Sequence, residues 1–287
     1  MFSKIIIKKI AKIITVLSML LLSACSTSFA YNNLPWLSSF WVDDYIDLNK
    51  SQAKQLKQII ENTRNWHRQT ELLKYKQDLT NLQAMFNSQL NKEELTKQIT
   101  LAKGHWGNLL DYASQPLITL AKTLTSKQRK ELIDNITADI NDELKEHNEL
   151  SLQEHKDMRL DKQFDYFKQW LNKLTPEQVR LIKAANEQHI NTFLLWQDYK
   201  RDRLRALEQT FSNLQLDEQQ FATQLEIIIT DRDAFIGDEL KAKNENNLVL
   251  YINLLIDLNN TLSKQQRKSA NEHFDDLMQT INELRND

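Results

Sequence analysis

Apolar residues along this chain recur every three or four positions, the spacing that places them on one face of a helix. Leu132, Ile136 and Ile140 form one such run, and Leu248 and Ile252 belong to another. Strict alternation of apolar and polar residues, the pattern of a half-buried strand, is nowhere sustained. The pattern therefore predicts one helix after another from residue 48 onward.

A short motif recurs between these runs: Leu is followed by Asn, Asp, Ser or Thr, then by two residues, then by Gln or Glu. This is the pattern of a capping box, in which the polar side chain accepts from the backbone N–H three residues on, and the Gln or Glu side chain binds back to the cap. Pro176 occupies the first helical position of the fourth copy, where proline is accommodated. The motif predicts helix starts near residues 50, 92, 126, 176, 218 and 264, and its copies begin at Leu48, Leu90, Leu124, Leu174, Leu216 and Leu262.

The six copies are ordered as two sets of three, at offsets of 126, 126 and 138 residues, and Phe86 has a counterpart in Phe211. This order indicates an internal duplication. Residues 126–174 contain no Gly or Pro and predict a helical bridge between the halves, but Ser151 begins another capping box, so one helix or two remains open. We expect an all-α fold: an elongated multi-helix bundle with two duplicated halves and a long bridge.

The composition supports this fold class. The 287 residues include only 3 Gly and 3 Pro, too few for sheets with tight hairpins or for Gly-rich phosphate loops. Hydrophobic residues make up 41% of the chain and charged residues 26%, which excludes disorder.

The first residues are typical of a secretory signal. Four Lys residues precede ten mostly apolar residues, 13–22, a stretch too short to cross a bilayer as a helix. The stretch ends in a tetrapeptide similar to the bacterial lipobox, whose cysteine becomes the acylated first residue of the mature chain. Its residues are Leu22, Ser23, Ala24 and Cys25.

Cys25 is the only cysteine, so the chain can form no internal disulfide. The alternative is an ordinary signal cleaved near Ala24 or Ala30. Residue 26 is Ser, whereas lipoproteins kept in the inner membrane tend to carry Asp there, so we expect a lipid-anchored protein at the periplasmic face of the outer membrane. The mature chain would have a formal charge of −6, which gives no general attraction to nucleic acid.

We divide the chain into a signal peptide (1–24), an anchor and aromatic segment (25–47), a first helical half (48–150), and the bridge with the second half (151–287). The aromatic segment is a core element, an interfacial belt at the lipid surface or a partner site. The second half lacks a counterpart of its Asp43-Asp44-Tyr45 cluster. We therefore propose residues 31–75 as the region near the membrane that binds an envelope protein partner or orients the chain, with these candidates: Tyr31, Trp36, Trp41, Asp43, Asp44, Tyr45, Trp66, Arg68, Glu71 and Tyr75. Cation–π stacking between Trp66 and Arg68 is expected within it.

The lipobox, Tyr31-Asn32-Asn33, Asp43-Asp44-Tyr45 and the segment from Trp66 to Tyr75 resemble a family of proteobacterial lipoproteins, those of domain of unknown function 6279. The resemblance continues diffusely to the C-terminus, and Leu73 departs from it where Pro is expected. It implies an all-helical envelope lipoprotein and supplies no activity. The Leu-Thr-x-x-Gln copies are also similar to those of periplasmic chaperones of the Spy type.

No chemical motif emerges from the six histidines. The chain has no Glu-x-x-His and no His-Glu-x-x-His, which counts against di-iron and zinc sites. His147 and His155 lie eight residues apart and are expected on a solvated helix face. Gly104 and Gly107 are expected to mark a helix break or a close helix contact. We therefore expect no catalytic residue, no metal and no cofactor.

Three functional hypotheses follow. The first is a non-enzymatic scaffold, adaptor or chaperone-like interaction protein held at the membrane by acylated Cys25. The second is a carrier of lipid or peptide, with an apolar groove between helices. The third is an enzyme that acts on the cell wall, for which no site is visible. A continuous cavity favours the second hypothesis, and a tightly filled core excludes it.

Overall fold

The computed structural model describes residues 27–286, and 86% of these residues are helical. No strand occurs within this range, so the all-α prediction is confirmed. The expected lipobox and signal lie outside the described residues. The helices are α1 (Leu34–Asp43), α2 (Lys50–Asn87), α3 (Lys92–Lys122), α4 (Ser126–Asn148), α5 (Leu152–Leu171), α6 (Pro176–Gln188), α7 (Phe193–Ser212), α8 (Glu218–Thr230), α9 (Asp238–Asn260) and α10 (Lys264–Asn286), with a 3-10 turn at Asp233–Phe235 between α8 and α9.

The recurring Leu motif does set helix starts. Helices α2, α3, α4, α6, α8 and α10 begin at residues 50, 92, 126, 176, 218 and 264, the positions predicted from the sequence. Thr125 and Thr175 each form a complete capping box, whereas Asn91 caps α3 through its side chain alone. Ser151 forms a further box at the start of α5, so the bridge consists of two helices, α4 and α5. Local capping chemistry decided these starts.

The packing order interleaves the two parts of the sequence. Helix α2 packs against α1, α3 and α10, whereas α4 packs against α7. The last helix of each half therefore lies against the other half. Helix α3 also contacts α8 and α9, and α5 contacts α6 and α10. Because the helices interleave, the described parts of the two halves, residues 48–150 and 151–286, pack against each other.

Buried glutamines join the helix starts in two similar arrangements. Gln52 and Gln128 exchange amide hydrogen bonds of 3.1 and 2.7 Å, and Gln178 and Gln266 exchange bonds of 3.1 and 2.8 Å. The helix counts nevertheless differ, because α6 and α7 occupy the range that corresponds to the single helix α2. The duplication is therefore not confirmed.

Three apolar clusters form the core. One is built on Ile118, Phe221, Leu225 and Ile228, where α3 meets α8. A second contains Phe167, Ile182, Leu254 and Leu258, and a third joins Leu72 to the end of α10. The second cluster forms one wall of an open groove.

Candidate functional site

An apolar groove of about 370 Å³ lies among α2, α3, α5, α9 and α10. Helical spacing of three and four residues directs one stripe of each helix into it. The largest contributions come from Leu79, Leu82 and Phe86 of α2, Leu95 and Ile99 of α3, Phe167 and Trp170 of α5, Tyr251 and Leu255 of α9, and Phe274 and Leu277 of α10. The core is thus not filled here, which is the condition on which the carrier hypothesis depends.

The groove offers a ligand very little hydrogen bonding. Besides the hydroxyls of Tyr166 and Tyr251 and the indole N–H of Trp170, the one polar side-chain group in its wall belongs to Asn259. Its Oδ1 already accepts a hydrogen bond of 3.2 Å from Nη1 of Arg267, whose guanidinium lies 5.1 Å from the ring centre of Phe86. An apolar occupant would therefore leave Asn259 with its own partner.

One end of the groove has a basic rim. A second cavity of about 250 Å³ shares Tyr166, Phe167 and Tyr251 with the groove, and its further lining includes Arg159 and Lys162. The two cavities are therefore contiguous through these aromatic residues.

The rim combines fixed and free polar groups. Arg159 is held by Asn186, whose Oδ1 and backbone oxygen accept bonds of 2.7 and 3.0 Å. Lys162 is exposed, and no carboxylate among residues 27–286 pairs with it. The Oε1 atom of Gln163 is buried and has no hydrogen-bond donor within the described part of the chain. Burial raises the pKa of Tyr251 to about 12, so its hydroxyl stays protonated.

The partner-binding candidates on α2 surround a buried charge cluster. The Glu71 side chain is 0% exposed; its Oε2 accepts from Nδ1 of His105 at 2.7 Å, and its Oε1 accepts from Nζ of Lys74 at 2.6 Å. Burial acts to raise the pKa of Glu71, but the hydrogen bonds from Lys74, His105 and Asn108 outweigh it and hold the pKa below its usual value. Nε2 of His105 lies 2.7 Å from Oδ2 of Asp78.

Aromatic residues extend this cluster toward the N-terminus. The ring of Tyr75 meets His105 edge to face at 4.5 Å, and its hydroxyl lies 3.2 Å from Nε2 of His67. Nδ1 of His67 in turn lies 3.0 Å from the hydroxyl of Tyr31. Arg68 lies 5.4 Å from the ring centre of Tyr31. These half-buried side chains tie the N-terminal segment to α2 and α3, as an aromatic core element would.

Three interactions expected from the sequence differ in the structure. Trp66 does not stack on Arg68; it lies flat against Tyr112 of α3 at 4.5 Å. Gly104 and Gly107 lie inside the unbroken helix α3, and a Cβ at either position would meet no atom within 4 Å, so they mark neither a break nor a close contact.

The third difference concerns His147. His147 and His155 belong to two helices and stack at 4.0 Å, with Phe193 on the other face of His147 at 3.7 Å. The break after residue 148 brings the rings together, which a continuous helix does not do.

The remaining candidates lie on α1 and the loop after it. Trp36 and Trp41 are 52% and 57% exposed, and Asp43 and Asp44 are exposed at the end of the helix. Tyr45 is half-buried, and its hydroxyl binds the carboxylate of Asp139. The structure therefore divides the ten candidates into an exposed group on α1 and at its end, an inward group around Glu71, and Tyr45, which is bound to Asp139 of α4. Their role in binding a partner stays a prediction.

The sequence did not reveal the groove, its basic rim or the role of His105. From helical spacing alone, each residue of the groove wall is predicted to be an ordinary core residue. The one available signal was the unusual aromatic content of α5, with Phe164, Tyr166, Phe167 and Trp170 within seven residues.

Comparison with known proteins assigns no role to the groove or to the charge cluster around Glu71. Within residues 27–286, no helix is both long and apolar enough to cross a membrane, and no group of three or more His, Cys, Asp or Glu side chains is placed to hold a metal ion. No curated protein and no solved structure matches the chain, and the likeness to Spy-type chaperones stays an expectation from the sequence. The profile of a family of unknown function, DUF6279, matches residues 44–241. Because this match covers more than half of the chain, the protein belongs to that family.

Proposed function

We propose that this chain is a non-enzymatic, lipid-anchored envelope protein that carries the acyl chain of an anionic amphiphile in the groove. The observation that carries the proposal is the groove itself: about 370 Å³ of space with an almost wholly apolar wall. Binding pockets for small molecules fall in this range of size and are mostly apolar. The anchor at Cys25 and the periplasmic location rest on the sequence pattern.

The small number of hydrogen-bonding groups in the wall favours an acyl chain over an extended peptide. A peptide brings a backbone N–H and C=O with every residue, and each costs free energy if it is buried without a partner. An acyl chain brings none. Each methylene that leaves water contributes about 0.8 kcal/mol, so two further carbons should tighten binding roughly tenfold until the groove is full.

The basic rim favours an anionic head group. A carboxylate or phosphate placed beside Tyr166 and Tyr251 would lie between Arg159 and the unpaired ammonium of Lys162. Nη1 of Arg159 is not used by Asn186, so it can donate to the ligand. Because the rim is partly exposed to solvent, the head group contributes only about 1 kcal/mol to the free energy of binding. The head group therefore determines which amphiphile is preferred more than how tightly it binds.

Titration calorimetry with saturated fatty acids of 10 to 16 carbons tests the proposal. The wild-type chain should bind with a Kd that falls about tenfold per two carbons. Leu82→Trp combined with Leu277→Trp should fill the groove from α2 and α10 and weaken binding at least tenfold. Leu194→Trp, on α7 away from the groove, is the matched control and should bind as the wild type does.

The head group is tested by comparing each acid with the alcohol of equal length. Lys162→Gln should remove the several-fold preference for the acid and leave the chain-length dependence unchanged. Absence of binding by all acids, or equal binding by the filled variant, would refute the acyl carrier. Binding of an amphipathic helical peptide instead would favour the peptide carrier.

A further inference from the structure

Helix α1 presents its large aromatic side chains to solvent, and the residues that it buries are Pro35 and Ser38. Trp36, Phe40 and Trp41 are 52%, 54% and 57% exposed, and Phe29 in the preceding helical turn is 59% exposed. The residue that α1 buries most deeply besides its proline is Ser38. A surface helix normally has the reverse arrangement, with large apolar residues toward the core.

These rings form a continuous outer face. Trp36 and Phe40 are four residues apart and meet edge to face at 4.9 Å. Phe29 lies in the helical turn before α1, and the turn at Asn33 separates it from Trp36. We refer to Trp36, Phe40 and Trp41 as the aromatic face. Clustered exposed apolar residues of this kind mark a contact with a partner or a membrane.

The position of this face in the chain identifies its occupant. A chain spans at most about 3.5 Å per residue, so Phe29 lies within about 14 Å of Cys25 in any conformation. Helical rise of about 1.5 Å per residue adds roughly 10 Å to reach Trp36. A bilayer that holds acyl chains on Cys25 is therefore within reach of the whole aromatic face.

The charges beside the face determine how it meets lipid. Asp43 and Asp44 are exposed at the end of α1, next to Trp41. Their carboxylates are costly to bury in hydrocarbon and are repelled by anionic lipid, so the contact is shallow and suits zwitterionic head groups. Trp and Phe are the side chains that favour this interfacial layer.

We propose that the aromatic face of α1 lies in the interfacial layer of the bilayer that holds Cys25, against zwitterionic head groups. This inference rests on the proposed anchor but not on the groove. Because α1 packs along α2, the contact holds the bundle at a fixed orientation to the membrane instead of leaving it on a loose tether.

Tryptophan quenching by brominated lipid tests this contact in the acylated full chain purified from the envelope. One chain keeps Trp36 alone and a second keeps Trp106 alone, with the other tryptophans replaced by Phe and helical content checked by circular dichroism. Trp106 is 54% exposed on α3, so acrylamide should quench the two tryptophans equally without vesicles when each chain carries Cys25→Ser and therefore has no acyl chains to associate.

In vesicles of brominated phosphatidylcholine, Trp36 should lose at least twice the fraction of fluorescence that Trp106 loses. Equal loss from the two residues would overturn the proposal. Shielding of Trp36 from acrylamide without vesicles would also overturn it, because a second copy or a protein would then cover the face. Mass spectrometry of the same sample reads acylation of Cys25 separately: an acylated chain with unquenched Trp36 refutes the contact alone, and an unmodified cysteine refutes the anchor.

Discussion

Removal of the His105 side chain is predicted to destabilise the first half of the bundle. Its two ring nitrogens each lie 2.7 Å from a carboxylate oxygen, of Glu71 on one side and Asp78 on the other. The ring therefore joins a carboxylate of α2 on each of its two nitrogens to α3. Replacement by Phe keeps the ring but leaves Glu71 buried with one partner fewer.

Loss of one partner of a buried ion pair costs about 3–5 kcal/mol, because a charge is left uncompensated away from water. Lys74 and Asn108 still bind Glu71, which places His105→Phe near the lower end, at about 3 kcal/mol. An apolar pair avoids that penalty, so Glu71→Leu combined with His105→Phe should cost clearly less than the two single variants added together.

Urea unfolding at pH 7, followed by circular dichroism, measures all three variants and their coupling energy. The control is Asp134→Ala, which removes an exposed pair with Lys130 and should change the free energy of unfolding by no more than about 0.5 kcal/mol. A cost below about 1 kcal/mol for His105→Phe, or additive single variants, would refute the buried-pair reasoning.

Three further predictions concern the capping amides, the half-buried His67 and the anchor. Gln178→Ala should lower the free energy of unfolding by about 2 kcal/mol, because it removes buried hydrogen bonds to Thr261 and Gln266, and Gln52→Ala should lower it by a similar amount. Urea unfolding measures both variants, and a loss under about 0.5 kcal/mol would contradict the prediction. Burial lowers the pKa of His67, so the unfolded chain binds more protons and the free energy of unfolding should fall as the pH drops below about 6.5. His67→Phe should make the free energy of unfolding depend less on pH between about pH 7 and 5, and an unchanged pH dependence would count against this prediction. Cys25→Ser should abolish metabolic palmitate labelling, and label retained in the variant would exclude this residue as the lipid site.

The sequence determined the class of the fold and six of the helix starts, and it predicts an anchored location in the envelope. Helix starts are local, since a capping box needs only the residues within one turn, and Thr175 with Gln178 forms the same box in the structure that the sequence indicates. The break before Ser151 was open for a related reason: a local cap competes there with continued helix, and only the packing of α5 on α6 and α10 decides between them.

Tertiary structure alone decided the sites. Glu71 and His105 are 34 residues apart, and neither differs in the sequence from an ordinary surface residue until α2 and α3 lie side by side. The groove exists because five helices meet without filling the space between Phe86 and Trp170, and helical periodicity reports which face is apolar but not whether the opposing faces close. On α1 the same periodicity predicts apolar residues without saying that Trp36 points outward, because the direction depends on which side of the helix α2 covers.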